Sequence, residues 1–260
     1  MAADTILIRG LRGIPEIVPG MNLGDKILAA LELAGIAAGG GAGPASPQGA
    51  IIVVVAQKVV SKSEGCLVRL DDVVPSVQAR AWAGAHQRDP RVVEVVLQQA
   101  RRVVRMDRGI LIVETHHGFV CANAGVDTSN APDGTVTLLP PDPDKSAGDL
   151  RRALEAACRR QVGIIISDTF GRPWRLGLTN VAIGVSGLSP FIDYRGQVDS
   201  SGRALHATMM ATADELAGAA ELVMGKTAGI PAALIEGFHG GSAAGTGREM
   251  IRPAEGDLFR

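Results

Sequence analysis

An aspartate directly after an apolar run is the first residue whose type and position could do chemistry. Residues 164–166 are three isoleucines, typical of a buried strand, and Ser167, Asp168 and Thr169 follow them. Carboxylates and hydroxyls at strand ends are frequent metal and phosphate ligands in α/β enzymes. The side chains of Asp168 and Thr169 diverge because the residues are adjacent, yet a backbone turn would let both serve a two-metal site. An aspartate that only caps a helix or a turn fits the segment equally well.

A second polar segment ends the stretch of residues 120–130. Asp127, Thr128, Ser129 and Asn130 could direct oxygens and an amide at a ligand. Taken alone, this segment is better explained as an ordinary Asx-rich turn.

Two lysines follow another apolar run, Ile51–Ala56. Lys58 and Lys62 are candidate phosphate contacts, and solvated surface lysines are the ordinary alternative. Together with two carboxylates they suit phosphoryl transfer. In that chemistry Mg²⁺ or Mn²⁺ bridges nucleotide phosphates through oxygen ligands, and lysine neutralises developing charge.

Familiar catalytic motifs are missing from the sequence. It contains no GxSxG nucleophile elbow and no HExxH zinc helix. Residues 224–227, Met-Gly-Lys-Thr, look like the end of a P-loop, but Ala220 stands where the earlier glycine is required, and the segment follows a helical pattern instead of opening one. His116 and His117 follow a predicted strand, where side chains alternate, so at most one of them faces a site.

The elements that must position these residues alternate between apolar runs and helical patterns, which indicates a mixed α and β protein. Strands are predicted at residues 51–56, 109–113, 162–166 and 230–235. Helices are predicted at residues 91–105, at 146–160 with Ser146 as N-cap, and at 203–224 before Gly225. Residues 37–48 are rich in Gly, Ala, Pro and Ser and predict a surface loop. Residues 140–144 could connect two subdomains.

Composition favours a cytoplasmic enzyme that acts on small molecules. The 260 residues carry a net charge of −1 with acidic and basic residues interspersed, so the electrostatic footprint of a nucleic-acid-binding protein is missing. The sequence has no stretch long enough for a membrane span, and its N-terminus does not read as a signal peptide. Cys66, Cys121 and Cys158 are far apart, which predicts reduced thiols and argues against a disulfide framework or a zinc cluster.

The same segments resemble a known family. From about residue 6 to residue 237 the chain is similar to the coenzyme F420-0:γ-glutamyl ligases, including the ligase half of the actinobacterial two-domain enzyme. The matching stretches are residues 13–17, 57–65, 114–130, 167–175, 179–184, 193–196 and 224–226. Several of them are long and unusual, so the resemblance is specific.

The resemblance implies a ligase reaction. Family members use GTP to activate the terminal carboxylate of the precursor's phospholactyl side chain as an acyl phosphate. The amine of L-glutamate then displaces phosphate and forms an amide, and some members add further γ-linked glutamates. The implied cofactors are Mn²⁺ or Mg²⁺, as two ions, often with K⁺.

The resemblance also implies a fold and a domain organisation. We expect an α+β fold of the F420-ligase type, with mixed sheets, packed helices and an intertwined homodimer. Residues 1–236 would form the ligase domain, as one unit or as two subdomains, and residues 237–260 a polar tail or linker. Two-domain relatives continue into a flavin-binding reductase domain, so a chain that ends at Arg260 is either a standalone ligase or half of a longer enzyme.

Residue roles carry over by position. Asp127 matches a metal ligand, Asp168 and Thr169 match a second pair of ligands, and Asp127, Asp168 and Lys62 are the expected catalytic residues. Nucleotide contacts are expected at Ile14, Pro15, Glu16, Ile17, Gln57, Lys58, Lys62, Asn130, Met224, Gly225, Lys226 and Thr227. Lys226 departs from the archaeal pattern, which has an acidic residue at this position that helps to hold a metal ion. A charged lysine cannot ligate a metal.

Two other functions fit the same residues. One is a non-catalytic nucleotide-binding or interaction protein on the same fold, and the other is a metal-dependent phosphohydrolase. The intact set of Asp127, Asp168 and Lys62 favours an enzyme over the first. Release of phosphate without an amine acceptor would identify the second.

Overall fold

The chain folds into a mixed α+β structure with several sheets, which confirms the predicted fold class. The computed structural model describes residues 5–36, 50–239 and 244–257. The strands are β1 Leu7–Gly10, β2 Ile51–Ala56, β3 Leu67–Arg69, β4 Ala100–Asp107, β5 Ile110–Thr115, β6 Val120–Ala122, β7 Thr135–Thr137, β8 Val162–Arg172, β9 Arg175–Ser186, β10 Ile192–Asp193, β11 Met209–Met210 and β12 Ala232–Glu236. The helices are α1 Leu23–Leu33, α2 Gln57–Ser63, α3 Val77–His86, α4 Pro90–Gln99, α5 Pro143–Cys158 and α6 Thr212–Met224.

A five-stranded sheet lies at the centre, in the order β1, β12, β2, β8, β9. Strands β2 and β8 are parallel neighbours, and the other pairs are antiparallel. Side chains on one face of the sheet, including Val53, Val55 and Ile164, pack with α1 and α5. Those on the opposite face, including Val54 and Ile165, pack with α6. Both faces are therefore covered, which explains why β2 and the first half of β8 read as continuous apolar runs.

Smaller units surround this sheet. Strands β4, β5 and β6 form a three-stranded antiparallel sheet, β3 pairs with β7, and β10 pairs with β11. Helices α3 and α4 pack against each other through Ala79, Ala83 and Val93. Among the residues described, none of the helices combines the length and the apolarity that crossing a membrane requires.

Three predicted helices begin or end elsewhere. The pattern over residues 91–105 is a helix only to Gln99, and β4 follows, because its β-branched valines pair with β5. Helix α5 starts at Pro143 with Asp142, not Ser146, as N-cap. Helix α6 starts at Thr212, so residues 203–211 are not helical, and it ends at the positive-φ Gly225 as predicted. The loop predicted at residues 37–48 lies outside the described residues.

Residues 244–257 pack onto the sheet along the edge strand β9. The Asp144 carboxylate, in the first turn of α5, accepts hydrogen bonds from the backbone N–H groups of Val185 (2.8 Å), Gly247 (2.6 Å) and Arg248 (3.2 Å). A Cβ atom at position 247 would lie 2.9 Å from the Ile183 carbonyl oxygen, so the backbone of this segment can come this close to β9 only with glycine at that position. One carboxylate thus ties the segment to β9 and α5.

Candidate active site

Asp168 and Thr169 lie inside β8 and not after it, which corrects the sequence prediction. The strand continues beyond the isoleucine run to Arg172, because β9 pairs with its polar half. Asp168 lies opposite Val181 in this ladder, and Thr169 lies opposite Asn180. Successive side chains on a strand point to opposite faces, so the two expected metal ligands face different sides of the sheet.

Asp127 is held in a tight polar turn next to Lys58. Its carboxylate accepts hydrogen bonds from the Ser129 N–H (2.6 Å) and the Ser129 hydroxyl (3.0 Å), and the Lys58 Nζ lies 2.7 Å from its Oδ2 atom. Burial acts to raise the pKa of Asp127, but these charged and polar donors outweigh it, so the pKa lies below its ordinary value. Asp127 is therefore anionic and oriented.

Asp168 is electrostatically coupled to Asp127. Burial raises the pKa of the Asp168 carboxyl to about 6, and the nearby charge of Asp127 adds to that effect. The backbone N–H of Thr169 and the ammonium groups of Lys226 and Lys58 act in the opposite direction. A carboxylate with a raised pKa, close to a second carboxylate, gains from a cation between them.

Lys226 approaches the other side of β8 from the end of α6. Its ammonium donates to the Thr169 hydroxyl and lies 3.4 Å from the Asn180 Oδ1 atom, and the Thr169 hydroxyl itself donates to Asn180 Oδ1 at 2.7 Å. Asn180 was not among the expected site residues. It lies within the matching stretch of residues 179–184, where a polar amide precedes an apolar run, and the residue is buried.

Lys62 and Glu16 form the second ion pair of this region. The Lys62 side chain is only 6% exposed, whereas its partner Glu16 is 75% exposed. A buried ammonium whose counter-charge is a solvent-facing carboxylate can exchange that partner for a phosphate. Lys58 and Lys62 both lie on α2, directly after β2, as the strand-end lysines of the sequence prediction require.

The remaining expected nucleotide contacts are spread over several environments. Gln57 is buried, and its amide donates to Ser61 Oγ (2.6 Å) and the Leu138 carbonyl (3.0 Å). Asn130, with φ of 54°, directly follows Ser129. Among the others, Ile17 and Met224 are core residues, and Ile14 packs against the core. Pro15, Gly225 and Thr227 are exposed.

The paired histidines and the cysteine thiols have no evident part in this cluster of charges. His116 and His117 make hydrogen bonds to the carbonyls of Gln98 and Pro140. The three cysteines are free, and burial raises the pKa of Cys121 to about 12 and that of Cys66 to about 11. Such thiols stay protonated at neutral pH and are poor nucleophiles.

The donor set fits one hard divalent cation. Within the described residues, no group of three or more His, Cys, Asp and Glu side chains could hold a metal ion. Asp127 and Asp168 would supply two carboxylates, which suits Mg²⁺ or Mn²⁺ because such ions complete their shells with water and phosphate oxygens. Thr169 is less suited to a second ion, since the Lys226 ammonium already shares its oxygen.

Comparisons with known proteins identify a family that the chain resembles over most of its length. A family model described as F420-0:Gamma-glutamyl ligase matches residues 12–237. The chain is 42% identical over 258 residues to a coenzyme F420:L-glutamate ligase of Methanothermobacter thermautotrophicus, which covers 98% of this chain and 99% of the relative. Proteins of the same name from Methanocaldococcus jannaschii and Methanopyrus kandleri are 44% and 47% identical, over 80% of this chain and 84% and 85% of theirs.

Proposed function

The chain belongs to the F420-0:gamma-glutamyl ligase family, and from this premise we propose that it uses GTP to couple L-glutamate to coenzyme F420-0. Family membership makes it an enzyme of coenzyme F420 biosynthesis with ligase activity. The finer proposal covers GTP as the energy source, an acyl phosphate as the intermediate and a divalent cation as the cofactor. Further γ-linked glutamates would be added by the same chemistry.

One observation carries the proposal, namely that the carboxylates Asp127 and Asp168 lie near each other and within electrostatic reach of the ammonium groups of Lys58 and Lys226. Four separate segments contribute these charges, and the charged side chains themselves do not belong to the apolar core. Alternating carboxylates and ammonium groups suit a metal-bound triphosphate, since the carboxylates hold the cation and the lysines hold phosphate oxygens.

The proposed reaction assigns two steps to this site. The acceptor's carboxylate oxygen attacks the terminal phosphorus of GTP, and GDP leaves. The glutamate nitrogen then attacks the acyl carbon, phosphate leaves with its oxygen, and the nitrogen loses a proton. A divalent cation bound by Asp127 and Asp168 would supply charge neutralisation on the phosphates.

The lysines have distinct parts in these steps. Lys62 would exchange Glu16 for a phosphate oxygen, and Lys58 would move from Asp127 onto the nucleotide when a cation binds there. Lys226, which is exposed and contacts the Thr169 hydroxyl, would turn from that hydroxyl to a phosphate oxygen of the nucleotide. A second divalent ion at Thr169, which the family resemblance implies together with K⁺, requires Lys226 to move away from that hydroxyl.

Mass spectrometry of the deazaflavin product tests the proposal directly. The chain is incubated with F420-0, GTP, Mn²⁺ and L-glutamate, and we expect a mass increase of one or more glutamyl residues together with GDP. Phosphate release that does not need glutamate would instead indicate a phosphohydrolase. GTP binding without turnover would indicate a non-catalytic nucleotide-binding protein. Either result would refute the proposed ligase reaction.

We further propose that the enzyme is a cytoplasmic homodimer. The β8–β9 hairpin supports the dimer, because its burial decreases from the sheet towards a tip that exposes three large apolar side chains. Trp174, Leu176 and Leu178 are 80%, 98% and 68% exposed, respectively. Such a cluster on a projecting arm is typical of a surface that another chain covers.

A further inference from the structure

A cavity of about 300 Å³ lies between β9, the turn that joins β5 to β6, and the segment of residues 244–257. Its volume falls at the lower end of the range for small-molecule pockets. Its walls are mostly apolar, and the larger side chains among them include Phe119, Phe170, Val181, Ile183, Met250 and Ile251. The last two belong to the segment that Asp144 ties to the sheet, so the cavity depends on that segment for one wall.

The walls favour a flat, largely apolar ligand with polar edges. The rings of Phe119 and Phe170 are 6.2 Å apart at 74°, an edge-to-face pair, and both line the cavity, so it has an aromatic wall against which a ring system can pack. Asp214, Arg252 and Asp257 also line the cavity and supply polar groups. Free glutamate suits it poorly, because two carboxylates would meet a single arginine and two aspartates.

The cavity lies one strand away from the carboxylate pair. Val181, in its wall, is the partner of Asp168 across the β8–β9 ladder. Phe170 follows Asp168 by two residues on β8 and therefore points to the same face. A ligand in the cavity would thus be next to the reacting centre without occupying it. That arrangement suits a substrate whose bulky ring is joined through a flexible chain to the carboxylate that reacts.

We propose that this cavity binds the deazaflavin ring of the acceptor substrate, with the phospholactyl chain leading past β9 to Asp168. The inference rests on the proposed function, from which it takes the acceptor. The segment of residues 244–257 then has a specific role as the wall that selects the acceptor, and it lies beyond residues 12–237 that match the family model.

Binding of F420-0 alone, followed by the fluorescence anisotropy of its deazaflavin, tests the inference without requiring turnover. The full chain is titrated in the absence of GTP and glutamate. Ile251→Trp fills the cavity, and Leu222→Trp adds the same side chain at an 83% exposed position on α6 as the matched control. We expect Ile251→Trp to weaken F420-0 binding roughly tenfold or more and to leave GTP affinity unchanged, whereas Leu222→Trp changes neither.

Phe119→Leu provides a second variant that keeps the volume nearly constant and removes one aromatic wall. We expect it to weaken F420-0 binding about threefold to tenfold, the effect of losing one aromatic pair. Both variants are first checked for folding by circular dichroism. If Ile251→Trp does not fold, the F420-0 affinity of Phe119→Leu tests the cavity assignment.

The outcomes separate this inference from the proposed function. Wild-type affinity for F420-0 in both folded variants would overturn the cavity assignment while ligation by the wild type continued to support the function. Weaker GTP binding with unchanged F420-0 binding would assign the cavity to the guanine base and overturn the inference. A wild type that binds F420-0 in a cavity-dependent way but forms no amide would support the cavity and refute the ligase.

Discussion

At the scale of single residues, Asp168 illustrates a side chain whose position costs stability. Its pKa is about 6 in the folded chain against an ordinary value of 3.8, so the folded state holds the proton more tightly than the unfolded state. By linkage, its contribution to stability falls as the pH rises from about 4 to about 6 and stays low above that. An isosteric neutral residue would escape this penalty.

Asp168→Asn should therefore raise stability and abolish activity. In metal-free protein at pH 7.5 we expect the free energy of unfolding to rise by about 1–3 kcal/mol, and the gain should vanish near pH 4. Ligation should fall roughly a hundredfold or more, because a charged ligand is lost. Urea unfolding at both pH values and steady-state ligation measure the two effects. Ligation near the wild-type rate would remove Asp168 from the site.

Lys226 tests whether a lysine ammonium contributes to nucleotide binding. Lys226→Met removes its contacts with Thr169 and Asn180. We expect GTP affinity to fall clearly, about tenfold, with little change in melting temperature, because the side chain is exposed at the end of α6. Titration calorimetry at saturating Mn²⁺ gives the GTP affinity. Equal affinities in both proteins would leave the phosphate contact to Lys58 or Lys62.

A second substitution at Lys226 addresses the second ion. With Lys226 absent, Thr169 no longer shares its hydroxyl with a positive charge, and Lys226→Glu would add a carboxylate beside it. Counting bound Mn²⁺ by electron paramagnetic resonance should give more ions per chain for Lys226→Glu than for the wild type. An unchanged count would show that Lys226 does not compete with a metal ion.

At the scale of elements, Asp144 joins three parts of the chain, because α5, β9 and the C-terminal segment all meet at its carboxylate. Asp144→Ala would leave three N–H donors without this acceptor. We expect a loss of about 1–3 kcal/mol and faster amide exchange at Gly247 and Arg248. Asp149→Ala, which removes surface ion pairs of the same helix, serves as the control and should cost less than about 1 kcal/mol. Equal effects in both variants would contradict the role of Asp144.

The elements also show how far the sequence alone leads. Strand β2 and the apolar first half of β8 were predictable, because strands buried on both faces need continuous Ile and Val runs. The polar half of β8 was not, since its pairing with β9 depends on a hairpin that joins residues of mixed polarity. The helical spacing over residues 91–105 failed for a similar reason. Pairing with β5, a long-range contact, decides the conformation of β4.

Parts of the site were likewise predictable to different degrees. Asp168 and Lys58 were identified because each follows an apolar run, whereas Asp127 ends a small polar segment and was assigned through the family resemblance. The fold places the charges of all three within reach of one another. Asn180 was missed, because its hydrogen bond with Thr169 depends on the register between β8 and β9. The contact of Lys226 with Thr169 spans 57 residues, and it follows from the packing of α6 on β9.

At the scale of the whole molecule, the β8–β9 hairpin combines two properties. Its base carries Asp168 and Thr169, and its tip exposes Trp174, Leu176 and Leu178. An arm with such a tip loses conformational freedom and buries apolar surface when a second chain covers it. A dimer formed in this way would also fix the strand that holds the proposed metal ligand, which would couple assembly to activity.

A double substitution at the tip tests this coupling. Leu176→Glu with Leu178→Glu places two charges in the proposed interface, and we expect a 26.9 kDa monomer by light scattering where the wild type gives twice that mass. Ligation should fall with dimer content, whereas each folded monomer should keep its far-ultraviolet circular dichroism. Leu222→Glu, which also charges an exposed leucine but on α6, should leave the dimer intact. A wild type that is monomeric at micromolar concentration, or a double variant that stays dimeric, would place the interface elsewhere or remove it.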